Sequence, residues 1–241
     1  MSLTVDPNKK EQARRRAIAS RLKKTIEHPK CELDFSSPWQ LLVAVILSAQ
    51  STDKGVNRVT PELFRRWPKP KALAEADRSE VEQVIRPTGF YKNKTKSICG
   101  ASQIIACEFD SEVPRTMEDL LNLPGVARKT ANVVLGTAFG IASGMTIDTH
   151  AGRVARRLGL THHDNPVKVE ADLCAIFAKH SWVDLGHRLV LHGRYVCLAR
   201  KPQCALCPLN ELCPSAAEKA HGSVKERQKK AYSLMVEQHH R

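Results

Sequence analysis

Leu120-Leu-Asn-Leu-Pro-Gly-Val-Ala-Arg-Lys-Thr-Ala-Asn-Val-Val-Leu135 holds two helical runs separated by a break. Leu120, Leu121 and Leu123 close the first run. Pro124-Gly125 interrupts it, because proline lacks an amide N–H and glycine accepts positive φ. The second run starts near Arg128, where Ala131, Val134, Leu135 and Ala138 recur at helical spacing. The stretch therefore predicts a helix, a tight hairpin and a helix. Amides in the hairpin and in the first turn of the second helix lack intrahelical partners, so they can bind an anion. Lys129 falls in that same turn, where the helix dipole disfavours an ammonium and eases deprotonation to a nucleophilic amine. An anion site beside such a lysine points to work on a phosphate backbone. The plainer reading of the same residues is a helix-turn-helix with a solvated lysine.

The rest of the chain narrows the choice. Its 241 residues can form one large domain or two modest ones. Aromatic residues are only 5% and helix formers dominate, so the expected class is all-α. A formal charge of +13 indicates a polyanionic partner, most often nucleic acid. The longest apolar run, Leu41 to Leu47, is too short to span a membrane, and no signal-peptide core precedes it. A cytoplasmic protein is expected, in which the eight cysteines are metal ligands or core thiols rather than disulfides.

Several segments carry candidate chemistry. A basic helix from Glu11 to Thr25 presents Arg14, Arg15, Arg16, Arg21, Lys23 and Lys24, either to solvent or to a polyanion. Ser36-Ser37-Pro38 starts an apolar helix, Trp39 to Ser48, that runs into the polar cluster Ser48-Ala-Gln-Ser-Thr-Asp53. That cluster is either a simple loop or the rim of a site. In Thr88-Gly-Phe-Tyr-Lys-Asn-Lys94, two aromatics stand among lysines, an arrangement that wedges or stacks on bases unless the rings pack inward. Asp148 precedes a helix bearing Arg153, Arg156 and Arg157, and capping is its default role. Residues 1–10 and the polar stretch 215–241 read as flexible tails.

Cys197, Cys204, Cys207 and Cys213 follow Cys-x6-Cys-x2-Cys-x5-Cys. Ligands this close in sequence can surround one metal centre without long loop closure. Zinc sites usually pair two Cys-x2-Cys hooks or add histidines, and this loop does neither. A compact single loop of four cysteines also suits a cubane iron–sulfur cluster.

Together, these signatures resemble the endonuclease III family of DNA repair glycosylases. Leu123-Pro-Gly-Val-Ala-Arg-Lys-Thr-Ala131 resembles its helix-hairpin-helix, with Ala127 where many members have Gly. Thr146-Ile-Asp-Thr-His150 resembles its aspartate segment. His192-Gly-Arg-Tyr-Val-Cys197 and the following cysteines resemble its [4Fe–4S] loop. Leu47-Ser-Ala-Gln-Ser-Thr-Asp53 matches a further segment, and Phe90 stands where relatives often have Leu. The resemblance covers roughly residues 15–214.

It implies two helical lobes with DNA in the cleft: a six-helix barrel over 31–142, and a cluster lobe from 11–30 with 143–214. Lys129 and Asp148 would meet there as the catalytic pair. Cys197, Cys204, Cys207 and Cys213 would hold the cluster. Gln50, Phe90, Leu123, Gly125, Val126, Ala127, Arg128 and Thr130 would contact DNA, and Asp53 and His150 would line the lesion pocket. The implied activity, in a monomer, is excision of oxidised pyrimidines from double-stranded DNA, followed by β-elimination at the abasic site through a lysine imine. The competing readings are an adenine glycosylase of the same superfamily and a non-catalytic iron–sulfur protein that binds DNA. The former lacks a lysine at this position, and the latter leaves Lys129 and Asp148 without a role.

Overall fold

The computed structural model describes residues 7–239, and these are helical throughout apart from turns and loops. In chain order the helices are α1 (Pro7–Thr25), α2 (Pro38–Leu47), α3 (Asp53–Arg66), α4 (Pro70–Ala74), α5 (Arg78–Ile85) and α6 (Tyr91–Glu108). They continue with α7 (Met117–Leu121), α8 (Arg128–Phe139), α9 (Thr149–Arg157), α10 (Pro166–Ile176), α11 (Trp182–Tyr195) and α12 (Val224–His239). The chain divides into two compact units, Cys31–Ser143 and Met1–Lys30 with Gly144–Arg241. No described helix is long and apolar enough to cross a membrane.

The first unit, Cys31–Ser143, is built around α2. Ser37 caps this helix by accepting from the Gln40 amide, and Pro38 takes its first turn. Trp39 and every residue from Leu41 to Leu47 are buried, so the helix is apolar on nearly every face. Leu63, Leu73, Ile85, Ile98, Ile105, Leu120 and Val134 complete the same core. Pro68 and Pro70 follow α3, and Pro70 does more than end it: it sits at the first turn of α4.

The hairpin between α7 and α8 is seated on α6 by small residues. Gly125 has φ +79°, and a Cβ there would lie 2.7 Å from Cβ of Ser97. Gly100, one turn along α6, lies beneath Pro124. Only a glycine at 125 satisfies both the left-handed backbone and the close approach.

The second unit packs Ile18 and Leu22 of α1 against Met145, Ile147, Val154, Leu158, Leu185 and Leu189. Arg188 of α11 is 5% exposed and binds the chain just beyond α1, donating to the carbonyls of Ile26 and Glu27. The expectation of flexible ends fails where the residues are described. Residues 7–10 belong to α1, and 224–239 form α12. Ser223 and Glu226 make a reciprocal capping box, the Glu226 carboxylate accepting from the Ser223 amide and the Ser223 hydroxyl from the Glu226 amide. Ala231 and Met235 are buried against Ile26 and Val196. Arg227, Ala231 and Met235 recur every fourth residue, so a mostly polar segment still has one face to bury. Residues 1–6 and 240–241 lie outside the described residues.

Candidate functional site

Lys129 is the second residue of α8 and is exposed. The cap before it is Ala127, whose side chain accepts no hydrogen bond from the first turn. The dipole end of α8 therefore meets no side-chain acceptor from its own cap, which suits an external anion. Of the expected DNA contacts in this stretch, Leu123 and Val126 are 2% and 8% exposed, so their side chains belong to the core rather than to the surface. Gly125 and Ala127 are exposed, and Arg128 and Thr130 half-buried. Gln50 and Phe90 are both exposed, each at a loop tip with positive φ, 53° and 47°. Asp53, half-buried, opens α3 behind the Gln50 loop.

Asp148 does cap α9. One oxygen, Oδ1, accepts from the amides of His150 and Ala151, both at 2.8 Å. Its Oδ2 accepts no hydrogen bond among the described residues. Capping therefore occupies one oxygen of the carboxylate. Burial pushes the half-buried His150 below the ordinary histidine pKa, against the pull of Asp148.

Two glycines of α11 bring the Asp148 segment close. A Cβ on Gly193 would lie 2.8 Å from the His150 carbonyl oxygen, and one on Gly186 would lie 3.2 Å from the Thr146 amide nitrogen. Gly193→Ala should therefore cost about 1–3 kcal/mol of stability, since backbone rather than a flexible side chain must move. Denaturant melts check this.

Cys197, Cys204, Cys207 and Cys213 line one pocket together with His192, Arg157 and Asn210. Among the described residues, no three His, Cys, Asp or Glu side chains converge tightly enough to hold a single metal ion. The Arg157 guanidinium donates to Cys197 Sγ at 3.3 Å, and the Leu209 amide to Cys207 Sγ at 3.4 Å. Such donors favour thiolates. Burial, reinforced by the other cysteines, pushes the Cys207 thiol up to about 12.

Arginines that composition alone assigns to a solvated or DNA-facing side hold this loop in place. Arg14 donates to the carbonyls of Leu158 and Leu212, each at 2.8 Å. Arg21 reaches the Pro208 carbonyl at 2.9 Å and Glu211 at 2.6 Å. From α12, Arg227, 1% exposed, donates to the Cys207 carbonyl at 3.1 Å and pairs with Glu211. Arg227→Met should remove about 1–3 kcal/mol from this loop. Iron release to a chelator, followed by loss of visible absorption, should quicken in proportion. A rate equal to the parent's would show α12 to be a bystander.

Comparison with known proteins places the chain in a family. Residues 43–179 match the family model described as HhH-GPD superfamily base excision DNA repair protein. Residues 197–213 match the iron-sulfur binding domain of endonuclease III. The chain is 54% identical to endonuclease III of Synechocystis sp. over 195 residues, 81% of this chain and 89% of that one. It is 42% identical to endonuclease III of Escherichia coli (strain K12) over 201 residues, 83% of this chain and 95% of that one. A solved structure of a trapped covalent intermediate of endonuclease III with DNA matches with a TM-score of 0.81 at 40% identity, covering 85% of this chain and 96% of that one. The hairpin lysine, the half-free aspartate and the cysteine loop thus lie in a chain that belongs to the endonuclease III family of base excision DNA repair proteins, DNA glycosylases with abasic-site lyase activity and a [4Fe–4S] cluster.

Proposed function

We propose that Lys129 is the nucleophile and Asp148 the charge-stabilising carboxylate of this DNA repair enzyme, acting on oxidised pyrimidines and abasic sites in double-stranded DNA. The observation that carries the reading is an exposed lysine in the first turn of α8, beside a cap that supplies no side-chain acceptor. The amides of that turn bind a phosphate while the amine faces the adjoining sugar.

Chemistry on a base requires it to leave the duplex stack. The exposed Gln50 and Phe90 fill and wedge the gap it leaves, while Asp53 and His150 help to line the lesion pocket. The neutral Lys129 amine attacks C1′ as the glycosidic bond breaks towards the base. Positive charge that develops on the sugar is offset by the free Oδ2 of Asp148. Asp148 also helps to take the proton released from the amine. The sugar ring opens to an imine on Lys129, a proton leaves C2′, and the C3′–O bond breaks to release the 3′ phosphate. Hydrolysis of the imine then frees the lysine.

Cys197, Cys204, Cys207 and Cys213 would hold the [4Fe–4S] cluster, which would supply iron–thiolate bonds that tie the turns of this loop together. Purified protein should contain about four irons per chain. Cys204→Ser should lose them and destabilise this unit. One equivalent of zinc without visible absorption would refute the assignment.

The protein is expected to act as a monomer in the cytoplasm. The test of the reading is borohydride reduction during turnover on a duplex carrying thymine glycol, which should leave a covalent protein–DNA adduct. Excision without any adduct would replace the lysine by water as nucleophile. That outcome would favour a mechanism in which base removal and strand cleavage are separate.

A further inference from the structure

Lys94 is a lysine that ought to be outside and is not. It lies in the first turn of α6 and is only 5% exposed. Its ammonium donates to Ser51 Oγ and to the Thr88 carbonyl, each at 2.8 Å. The Ser51 hydroxyl itself donates to that same Thr88 carbonyl. The three groups form a closed ring of hydrogen bonds. Ser51 belongs to the loop after α2, and Thr88 to the loop before α6, so the ring ties together segments 37 residues apart in the chain.

Those two segments carry Gln50 and Phe90. Gln50 is adjacent to Ser51, and Phe90 follows Thr88 by two residues. Both tips have backbones that an L side chain avoids, with φ 53° and 47°. Their side chains are exposed, Phe90 to 64%. The Lys94 amide also bonds the Phe90 carbonyl at 3.1 Å, so one residue grips this loop through its main chain and its side chain. Stability alone does not require a charge here. An apolar side chain of similar length would avoid the desolvation that the ammonium suffers. What the ammonium supplies is direction, since it can satisfy both loops in one arrangement only.

We propose that Lys94 is a positioning residue that locks the Gln50 and Phe90 loops into a single rigid wedge for opening the duplex. The proposal rests on the reading of Gln50 and Phe90 as the residues that enter the stack. A wedge in two independently mobile halves would have to be ordered at the moment of base extrusion. A pre-ordered one avoids that entropic cost. The dependence on Lys94 should therefore scale with how hard the base is to extrude.

The experiment compares single-turnover excision of thymine glycol in a fully paired duplex and in a one-nucleotide bulge, where little stacking must be broken. Lys94→Met should lower the paired-to-bulged rate ratio by about 10- to 100-fold. Lys94→Arg should restore much of it. Ser51→Ala, a milder change in a half-exposed residue, should shift the ratio in the same direction and keeps the test open if Lys94→Met folds poorly. Gln50→Ala and Phe90→Ala separate the two ideas. If they lower the ratio while Lys94→Met and Ser51→Ala do not, the wedge stands and the role of Lys94 falls. If none of the four lowers it, both readings fall. A reduced melting temperature for Lys94→Met with an unchanged ratio would make the lysine structural only and would also overturn the proposal.

Discussion

Lys129→Gln should bind lesion DNA and do nothing further to it. Strand cleavage and borohydride trapping are expected to fall at least about 10⁴-fold, the scale on which an enzyme loses activity with its nucleophile. Binding should survive because the substitution leaves the α8 amides in place, and glutamine is as good a helix former as lysine. Lys129 is exposed, so the core should not register the change. Gel-shift titration with an abasic-site analogue and quantified adduct formation make the comparison. Full trapping by Lys129→Gln would mean that another amine attacks C1′, and the central assignment would be wrong.

Asp148→Asn should reduce excision of a damaged base by about 10²–10⁴-fold, the range of an acid–base group. The structure makes this substitution unusually clean. Oδ1 of Asp148 accepts the amides of His150 and Ala151, and asparagine caps a helix as well as aspartate does. Melting should therefore stay close to the parent's, and a rate loss would report the missing charge. Asp148→Ala, by contrast, should also lose about 0.5–2 kcal/mol of capping energy. On a preformed abasic site there is no glycosidic bond to break, so the Asp148→Asn deficit should shrink there. Parent-like excision of a damaged base by Asp148→Asn would reduce this residue to a cap.

Both predictions start from features that were legible in the sequence because they obey short-range rules. Pro124-Gly125 breaks one helix, and the apolar spacing from Ala131 begins the next, so the position of Lys129 in a first turn follows from a few residues. The Cys197–Cys213 spacing is equally local. Ser223 and Glu226 are equally close in sequence. Their capping box stands in the sequence, yet the lysines and glutamates around it made residues 215–241 read as a flexible tail, when one helical face there buries Ala231 and Met235.

By itself, then, the sequence determined most of the helices, the hairpin, the cap at Asp148 and the cysteine spacing, because each depends on neighbours within about one helical turn. Only the tertiary structure decided the fate of the long cations. Beyond its local partner Glu11, Arg14 finds acceptors 144 and 198 residues away, and Arg21 finds one 187 residues away. Lys94 is buried because Ser51 and Thr88 happen to be brought over it. A lysine or arginine side chain is apolar along its stem and charged at its tip, so it can lie in solvent, on DNA or in the interior. Which it does depends on whether distant carbonyls and hydroxyls converge within reach of its tip. No local pattern records that convergence, and folding alone brings it about.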